Sequence, residues 1–233
     1  MQFSKALYSE CGIREKNEDA ITLLHRDTCL LAVAADGLGG HGMGEIASGR
    51  AIQVMEQCFA SQPLDEEALA EAIFRANREI FAMHTGGANM KTTIAVLAIQ
   101  ADSAIALHVG DTRIYQFRSG RICFQSRDHS LAQLAVTVGQ IPAEDLRAHP
   151  DQNKLTRSLG GPERPRIDIR LLEVQPGDSF LLCTDGFWGP VTETQMCDAL
   201  HNAASAQDWL NRMRPQVQAC SRDNHSAIAL IAK

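Results

Sequence analysis

The sequence predicts an α+β fold of antiparallel sheets covered by paired helices. Three observations predict it: frequent apolar runs of strand length, turn residues spaced too closely for crossover helices between several of them, and helical periodicity confined to separate blocks. Strand-like runs open the pattern at 20–25 and 29–35. Residues 44–59 then place Ile46, Ala47, Ala51, Val54, Met55 and Cys58 at helical spacing, and 65–83 repeat it with Leu69, Ala72, Ile73, Ala76 and Ile80 after Asp65 as N-cap. Runs at 93–99, 104–109, 113–117 and 122–125 are interrupted by turn formers at 100–103, 110–112 and 118–120, which predicts an antiparallel meander and disfavours a Rossmann-type sheet. The segment 126–165 is polar, carries Gly139, Pro142, Pro150, Gly160, Gly161, Pro162 and Pro165 around a short helical stretch at 130–138, and reads as a flap. Strands at 167–172 and 179–183 follow, then helices at 192–201 and 205–220, the last interrupted by Pro215, and a final strand at 228–231.

Composition narrows the function classes. The chain has 233 residues, a net charge of −6 and 45% hydrophobic residues, ordinary for a globular protein. A compact domain of this size buries roughly 70% of the surface its unfolded chain exposes, and no linker-like run divides it, so residues 1–233 are expected to form one domain. Acidic balance and 5% aromatic content argue against nucleic-acid binding, which wants a basic groove and stacking platforms. The longest strictly apolar run, 29–35, is far below the ~18 residues of a membrane helix. The N-terminus lacks the apolar core of a secretory signal, and seven cysteines form an odd count without C-x-x-C, so the expectation is a cytoplasmic protein, a monomer, with reduced thiols.

Four acidic clusters sit where strand patterns turn to loops: Asn17-Glu18-Asp19, Asp36-Gly37-Leu38-Gly39-Gly40-His41-Gly42, Thr184-Asp185-Gly186 and Arg222-Asp223-Asn224. A carboxylate directly after a buried strand is costly unless it meets water or a cation. A lone Asp-Gly is also the commonest kind of turn, but two such endings suggest carboxylates converging at a sheet edge. Hard divalent ions take such oxygen ligands, and no His/Cys cluster suggests zinc. The glycine run before residues 44–59 could alternatively cradle phosphate, although it lacks the Lys-Ser/Thr of a Walker loop.

The order of motifs resembles the metal-dependent serine/threonine protein phosphatases of type 2C, the PPM family, in compact bacterial form. The motifs are Arg14-Glu15-Lys16-Asn17-Glu18-Asp19, Ala35-Asp36-Gly37-Leu38-Gly39-Gly40-His41, Lys91-Thr92-Thr93, Val109-Gly110-Asp111-Thr112-Arg113, Arg127-Asp128-His129-Ser130-Leu131, Leu155-Thr156-Arg157-Ser158-Leu159-Gly160, Cys183-Thr184-Asp185-Gly186 and Asp223-Asn224. The resemblance implies a four-layer α-β-β-α sandwich, two antiparallel sheets flanked by helix pairs, with 126–165 as the flap. It implies two Mn²⁺ or Mg²⁺ ions, with Asp36 bridging them and Gly37 offering its carbonyl. Asp185 and Asp223 would complete the first ion's shell, Glu18 and Asp19 would lie beside the second, Asp111 would help to hold a third, and Arg14 would grip the substrate phosphate. The implied reaction is direct attack on phosphoserine or phosphothreonine by water bridging the two ions. No cysteine is followed six positions later by arginine, which agrees with a route that needs no phosphoenzyme.

The resemblance also implies phosphoprotein substrates, commonly those of a Hanks-type serine/threonine kinase, with some members acting in type VI secretion, and no residue chooses between these. Two other readings stand beside it: a metal-dependent hydrolase of small phosphate esters, and a non-catalytic regulatory module that binds phosphoproteins. The sequence departs from the family pattern at Lys91, where a small residue is usual, at Leu38, where eukaryotic members carry histidine, and at Gly189, where some relatives carry a carboxylate. His41 and His129 read as structural hydrogen-bonders, and His225 is noted for its place after Asp223-Asn224.

Overall fold

A computed structural model describes residues 1–39, 43–84 and 89–233. Its strands are β1 (Phe3–Glu10), β2 (Asp19–Arg26), β3 (Cys29–Leu38), β4 (Lys91–Thr92), β5 (Ile94–Gln100), β6 (Ser103–Val109), β7 (Arg113–Arg118), β8 (Arg121–Gln125), β9 (Asp168–Glu173), β10 (Ser179–Cys183) and β11 (His225–Ala232). The helices are α1 (Gly44–Ser61), α2 (Glu66–Ala82), α3 (Leu131–Thr137), α4 (Asp185–Trp188), α5 (Glu193–His201) and α6 (Ala206–Cys220), with one 3-10 turn at Ala143–Ala148.

The apolar run in β3 explains the layering. Strand side chains alternate between faces, so Leu31, Val33 and Ala35 enter one buried cluster while Leu30, Ala32 and Ala34 enter another. The first cluster joins that face to α1 and α2 through Ala47, Ala51, Met55, Leu69, Ile73 and Ile80. The second lies between sheets, where Leu97 and Ile99 meet Phe180, Leu182, Ile228 and Leu230. A third packs Trp209, Leu210, Met213 and Val217 of α6 against the outer face of β10 and β11. One sheet runs β2-β3-β5-β6-β9, with β4 added to the end of β3, and the other runs β1-β11-β10-β7-β8. Every pairing is antiparallel, and the result is the four-layer α-β-β-α sandwich.

Three details depart from the sequence expectations. β1 is an additional strand on the sheet edge: only Ala6 of its eight residues is buried, so its apolar alternation is weak. Gly110-Asp111-Thr112 is no hairpin turn, because β6 and β7 belong to different sheets and the chain crosses the sandwich there. Gly110, at φ +108°, makes that crossing in the left-handed region that glycine tolerates. Pro215 does not break α6; it sits on the exposed face between buried Met213 and Val217, where water can serve the carbonyl it leaves free.

Segment 126–165 is anchored at both ends. Bridges join Ser130 to Leu155 and Thr92 to Leu159. Buried Asn77 of α2 accepts from the N–H groups of Gly160 (2.8 Å) and Gly161 (3.2 Å) and donates to the carbonyls of Gly161 and Glu163, both at 3.0 Å. An Asn77→Ala substitution should therefore cost about 1–3 kcal/mol, since it strands several polar groups together. Chemical denaturation measures that loss, and hydrogen exchange should show faster exchange at Gly160 and Gly161 than in α1.

Candidate functional site

Antiparallel pairing gathers the acidic motifs at one edge of the sandwich. The ends of β1, β3, β6 and β10 stand beside the beginnings of β2 and β11, and Asp19 lies directly opposite Asp36 across β2 and β3. The Asp36 N–H donates to Thr93 Oγ1 (2.9 Å), while its carbonyl accepts from the Thr93 N–H (2.9 Å) and Thr92 Oγ1 (2.8 Å). Thr93 Oγ1 lies 2.6 Å from Thr112 Oγ1, which couples this clamp to the Asp111 loop. The Asp111 carbonyl in turn accepts from Trp188 Nε1 at 2.9 Å.

The Glu18 loop is fixed by backbone contacts. Its carbonyl accepts from the Gly37 N–H (3.0 Å) and from Ser48 Oγ (2.6 Å), and its carboxylate accepts from the Gly44 N–H at the start of α1 (3.2 Å). A Cβ on Gly37 would stand 2.3 Å from the Gly44 carbonyl oxygen, so this approach admits only glycine. Asn224 accepts from the Glu18 N–H (2.8 Å) and donates to the carbonyls of Cys11 (2.9 Å) and Lys16 (2.8 Å). It thereby staples the loop that carries Arg14, whose Nη2 donates to Asp223 Oδ2 at 2.8 Å.

All the expected site residues come together. Arg14, Glu18, Asp36, Gly37, Asp111, Asp185 and Asp223 line one cleft of about 620 Å³. Asp19, paired with Asp36 across β2 and β3, is not among the lining residues, and its Oδ2 accepts from Thr184 Oγ1 at 2.9 Å. Asp19 Oδ1 and Asp185 Oδ1 are buried with no hydrogen-bond partner among the described residues. Burial, reinforced by neighbouring carboxylates, pushes Asp19 up to about 7 and Asp185 up to about 6. Burial and the charge of Asp185 likewise raise Asp36 and Asp111 well above the usual carboxylate range. Orphaned anionic oxygens beside further carboxylates fit hard divalent cations, which take oxygen ligands and remove the repulsion.

Other expectations resolve differently. His129 Nδ1 accepts from the Gly110 N–H at 3.1 Å, and Nε2 faces Asp168 at 3.3 Å, so it is a structural hydrogen-bonder. Its ring stacks on that of His108, centroids 4.6 Å apart and planes within 14°. Lone pairs in near-parallel planes do not converge on one ion, so these histidines and Asp168 make a poor metal centre. His225 stacks on Tyr8 rather than lining the cleft. His41, Gly40 and Gly42 lie outside the described residues. Sequence reasoning missed the supporting hydroxyls of Ser48, Thr92, Thr93 and Thr184 and the staple role of Asn224. It also missed Arg113, which is buried, holds Asp128 through two bonds of 2.8 and 2.7 Å, and stacks 3.5 Å from the Trp188 ring centroid.

Comparison with known proteins matches the chain along most of its length. The sequence model described as "Protein phosphatase 2C" matches residues 13–229. The serine/threonine phosphatase stp of Listeria welshimeri is 31% identical over 206 residues, covering 84% of this chain and 82% of that protein. The Streptococcus agalactiae serine/threonine phosphatase structure superposes with a TM-score of 0.91 at 26% identity, covering 100% of both chains. The catalytic domain of the phosphatase PstP, solved in complex with two manganese ions, gives 0.86 at 26% identity over 99% of each chain.

The raised carboxyls make stability depend on pH. Asp19 and Asp185 titrate near 7 and 6 when folded, against about 3.8 when unfolded, so the folded state holds more protons between those values. Their contribution to stability therefore falls as pH rises through that window. Chelator-treated protein should melt at least about 3 °C higher at pH 5.5 than at pH 8 in scanning fluorimetry, and Asp19→Asn should flatten the slope. Adding about 1 mM Mn²⁺ should raise the melting point more at pH 8 than at pH 5.5.

Proposed function

The chain belongs to the protein phosphatase 2C family and is a serine/threonine phosphatase of that type, and from this premise we propose that it hydrolyses phosphoserine and phosphothreonine in proteins by direct attack of water. The observation that carries the reading is one cleft lined by Asp36, Asp111, Asp185, Asp223 and Arg14, with buried oxygens of Asp185 and of the adjacent Asp19 unpartnered among the described residues. Residues 1–233 act as one catalytic domain with 126–165 as its flap, working as a cytoplasmic monomer on the substrates of a Hanks-type kinase. No helix among the described residues is long and apolar enough to cross a membrane.

Asp36, the Gly37 carbonyl, Asp185 and Asp223 would hold the first ion, Asp36 would also contribute to a second beside Glu18 and Asp19, and Asp111 would help to hold a third. Two hard ions, Mn²⁺ or Mg²⁺, supply charge neutralisation at the phosphoryl oxygens and the nucleophilic water. The chain's own residues do the rest. Thr92 and Thr93 hold the Asp36 backbone in place, so the carboxylate is positioned before substrate arrives. Arg14 exchanges Asp223 for the substrate phosphate, presenting two N–H groups to its oxygens. The Thr184 hydroxyl holds Asp19 in place by donating to Oδ2.

The test is hydrolysis of a phosphothreonine peptide and of para-nitrophenyl phosphate, with chelator, Mg²⁺ or Mn²⁺, by wild type and Asp36→Ala. Metal-dependent release from the peptide is expected, reduced at least about 10²–10³-fold in the variant, with circular dichroism unchanged. Release from the small ester alone would favour the small-ester hydrolase, and no release with any metal would favour the regulatory module. Near wild-type turnover by Asp36→Ala would refute the assignment.

A further inference from the structure

Beside the acidic cleft lies a second concavity of about 410 Å³ with the opposite charge. Its wall includes Lys91, Arg157, Arg164 and Arg166 against one acid, Glu163, in a chain whose net charge is −6. Leu155 lines both hollows, so they are contiguous. Two of the cations are engaged: Arg157 bonds Asp168 at 2.7 Å, and Arg164 stacks 3.7 Å over the Phe74 ring. The side chains of Lys91 and Arg166 have no hydrogen-bond or ionic partner among the described residues, and Arg166 is exposed.

Position along the strands sets the spacing. Lys91 pairs with Leu38, two residues beyond Asp36 on β3. Strand geometry therefore puts its Cα about 8–9 Å from that of Asp36, and its ammonium reaches further toward the flap. An extended peptide with its phosphoresidue in the acidic cleft would carry a side chain two to four positions away over the basic hollow, at roughly 3.3 Å per residue. Lys91 is also where the motif pattern departs from the usual small residue, so the charge is a feature of this chain. Asn77 holds Gly160, Gly161 and Glu163 and so keeps the wall in shape.

We propose that Lys91 and Arg166 form a specificity subsite for an anionic side chain, a carboxylate or a second phosphate, that flanks the scissile phosphoresidue in the same peptide. Resting on the phosphoprotein reading above, it names the preferred substrate class: acidic or multiply phosphorylated segments. A second phosphate is favoured over a carboxylate because it carries more charge and more acceptor oxygens for the two cations.

The experiment compares kcat/KM for three phosphothreonine peptides that have neutral, glutamate or phosphoserine residues two to four positions from the target, with para-nitrophenyl phosphate as a control, in Mn²⁺. Each preference is a ratio measured on one enzyme preparation, so the fraction of folded protein cancels. Wild type should prefer the doubly phosphorylated peptide roughly tenfold over the neutral one, with the glutamate peptide between them. Salt at about 0.5 M should shrink the ratio by screening. Lys91→Gln with Arg166→Gln should bring it near 1, and Lys91→Glu should reverse it in favour of peptides with basic flanks. A wild-type ratio near 1, or a ratio that survives both neutralisations, overturns the subsite while leaving peptide hydrolysis intact. Hydrolysis of the small ester with none of the peptides overturns the phosphoprotein reading and the subsite with it.

Discussion

Mutual repulsion among buried carboxylates is the constraint that organises this molecule. Asp19, Asp36, Asp111 and Asp185 share one edge of the sandwich, and burial together with the neighbouring charges opposes their ionisation. A fold spends stability on such an arrangement only if something holds the groups in place and something else relieves them. The holding is visible in the structure. Threonine hydroxyls fix the Asp36 backbone, Thr184 fixes Asp19, and the indole of Trp188 fixes the Asp111 carbonyl.

Those supports come from both sheets, which gives the sandwich a functional meaning. β3 and β6 deliver Asp36 and Asp111 from one sheet, while β10 and β11 deliver Asp185 and Asp223 from the other. The interior between the sheets, packed with Leu97, Ile99, Phe180, Leu182 and Ile228, sets the separation of the two pairs. Arg113 extends the same logic outward. By binding Asp128 through both oxygens while packed on Trp188, it ties the crossing at Gly110 to the root of segment 126–165.

Much of the site was legible in the sequence because an Asp-Gly after an unbroken apolar strand is a conspicuous contradiction of hydrophobic patterning. That signal pointed to Asp36 and Asp185, and the apolar run at 29–35 gave the strand, which the structure buries on both faces. Ordered motifs added Asp111, Asp223, Glu18, Asp19 and Arg14. What remained hidden depends on partners distant in sequence. Asn224 reads as an ordinary polar residue until it is seen bonding Cys11, Lys16 and Glu18, some two hundred positions away. β1 was hidden because Leu7 is exposed while Ala6 points inward, so its apolar pattern contradicts its burial. The Gly110 crossing looked like a hairpin because local turn chemistry does not say which sheet the next strand joins.

The central claim is that carboxyl groups kept protonated by burial and by neighbouring carboxylates become ionised when divalent metal enters the cleft. Titration calorimetry of Mn²⁺ into the metal-free protein, repeated in buffers of different ionisation enthalpy, measures the protons released per ion. Proton release is expected near pH 6 and should be smaller at pH 8, where Asp19 and Asp185 have already lost their protons in the free protein. Tight binding with no proton release at pH 6, or no binding at either pH, would contradict it.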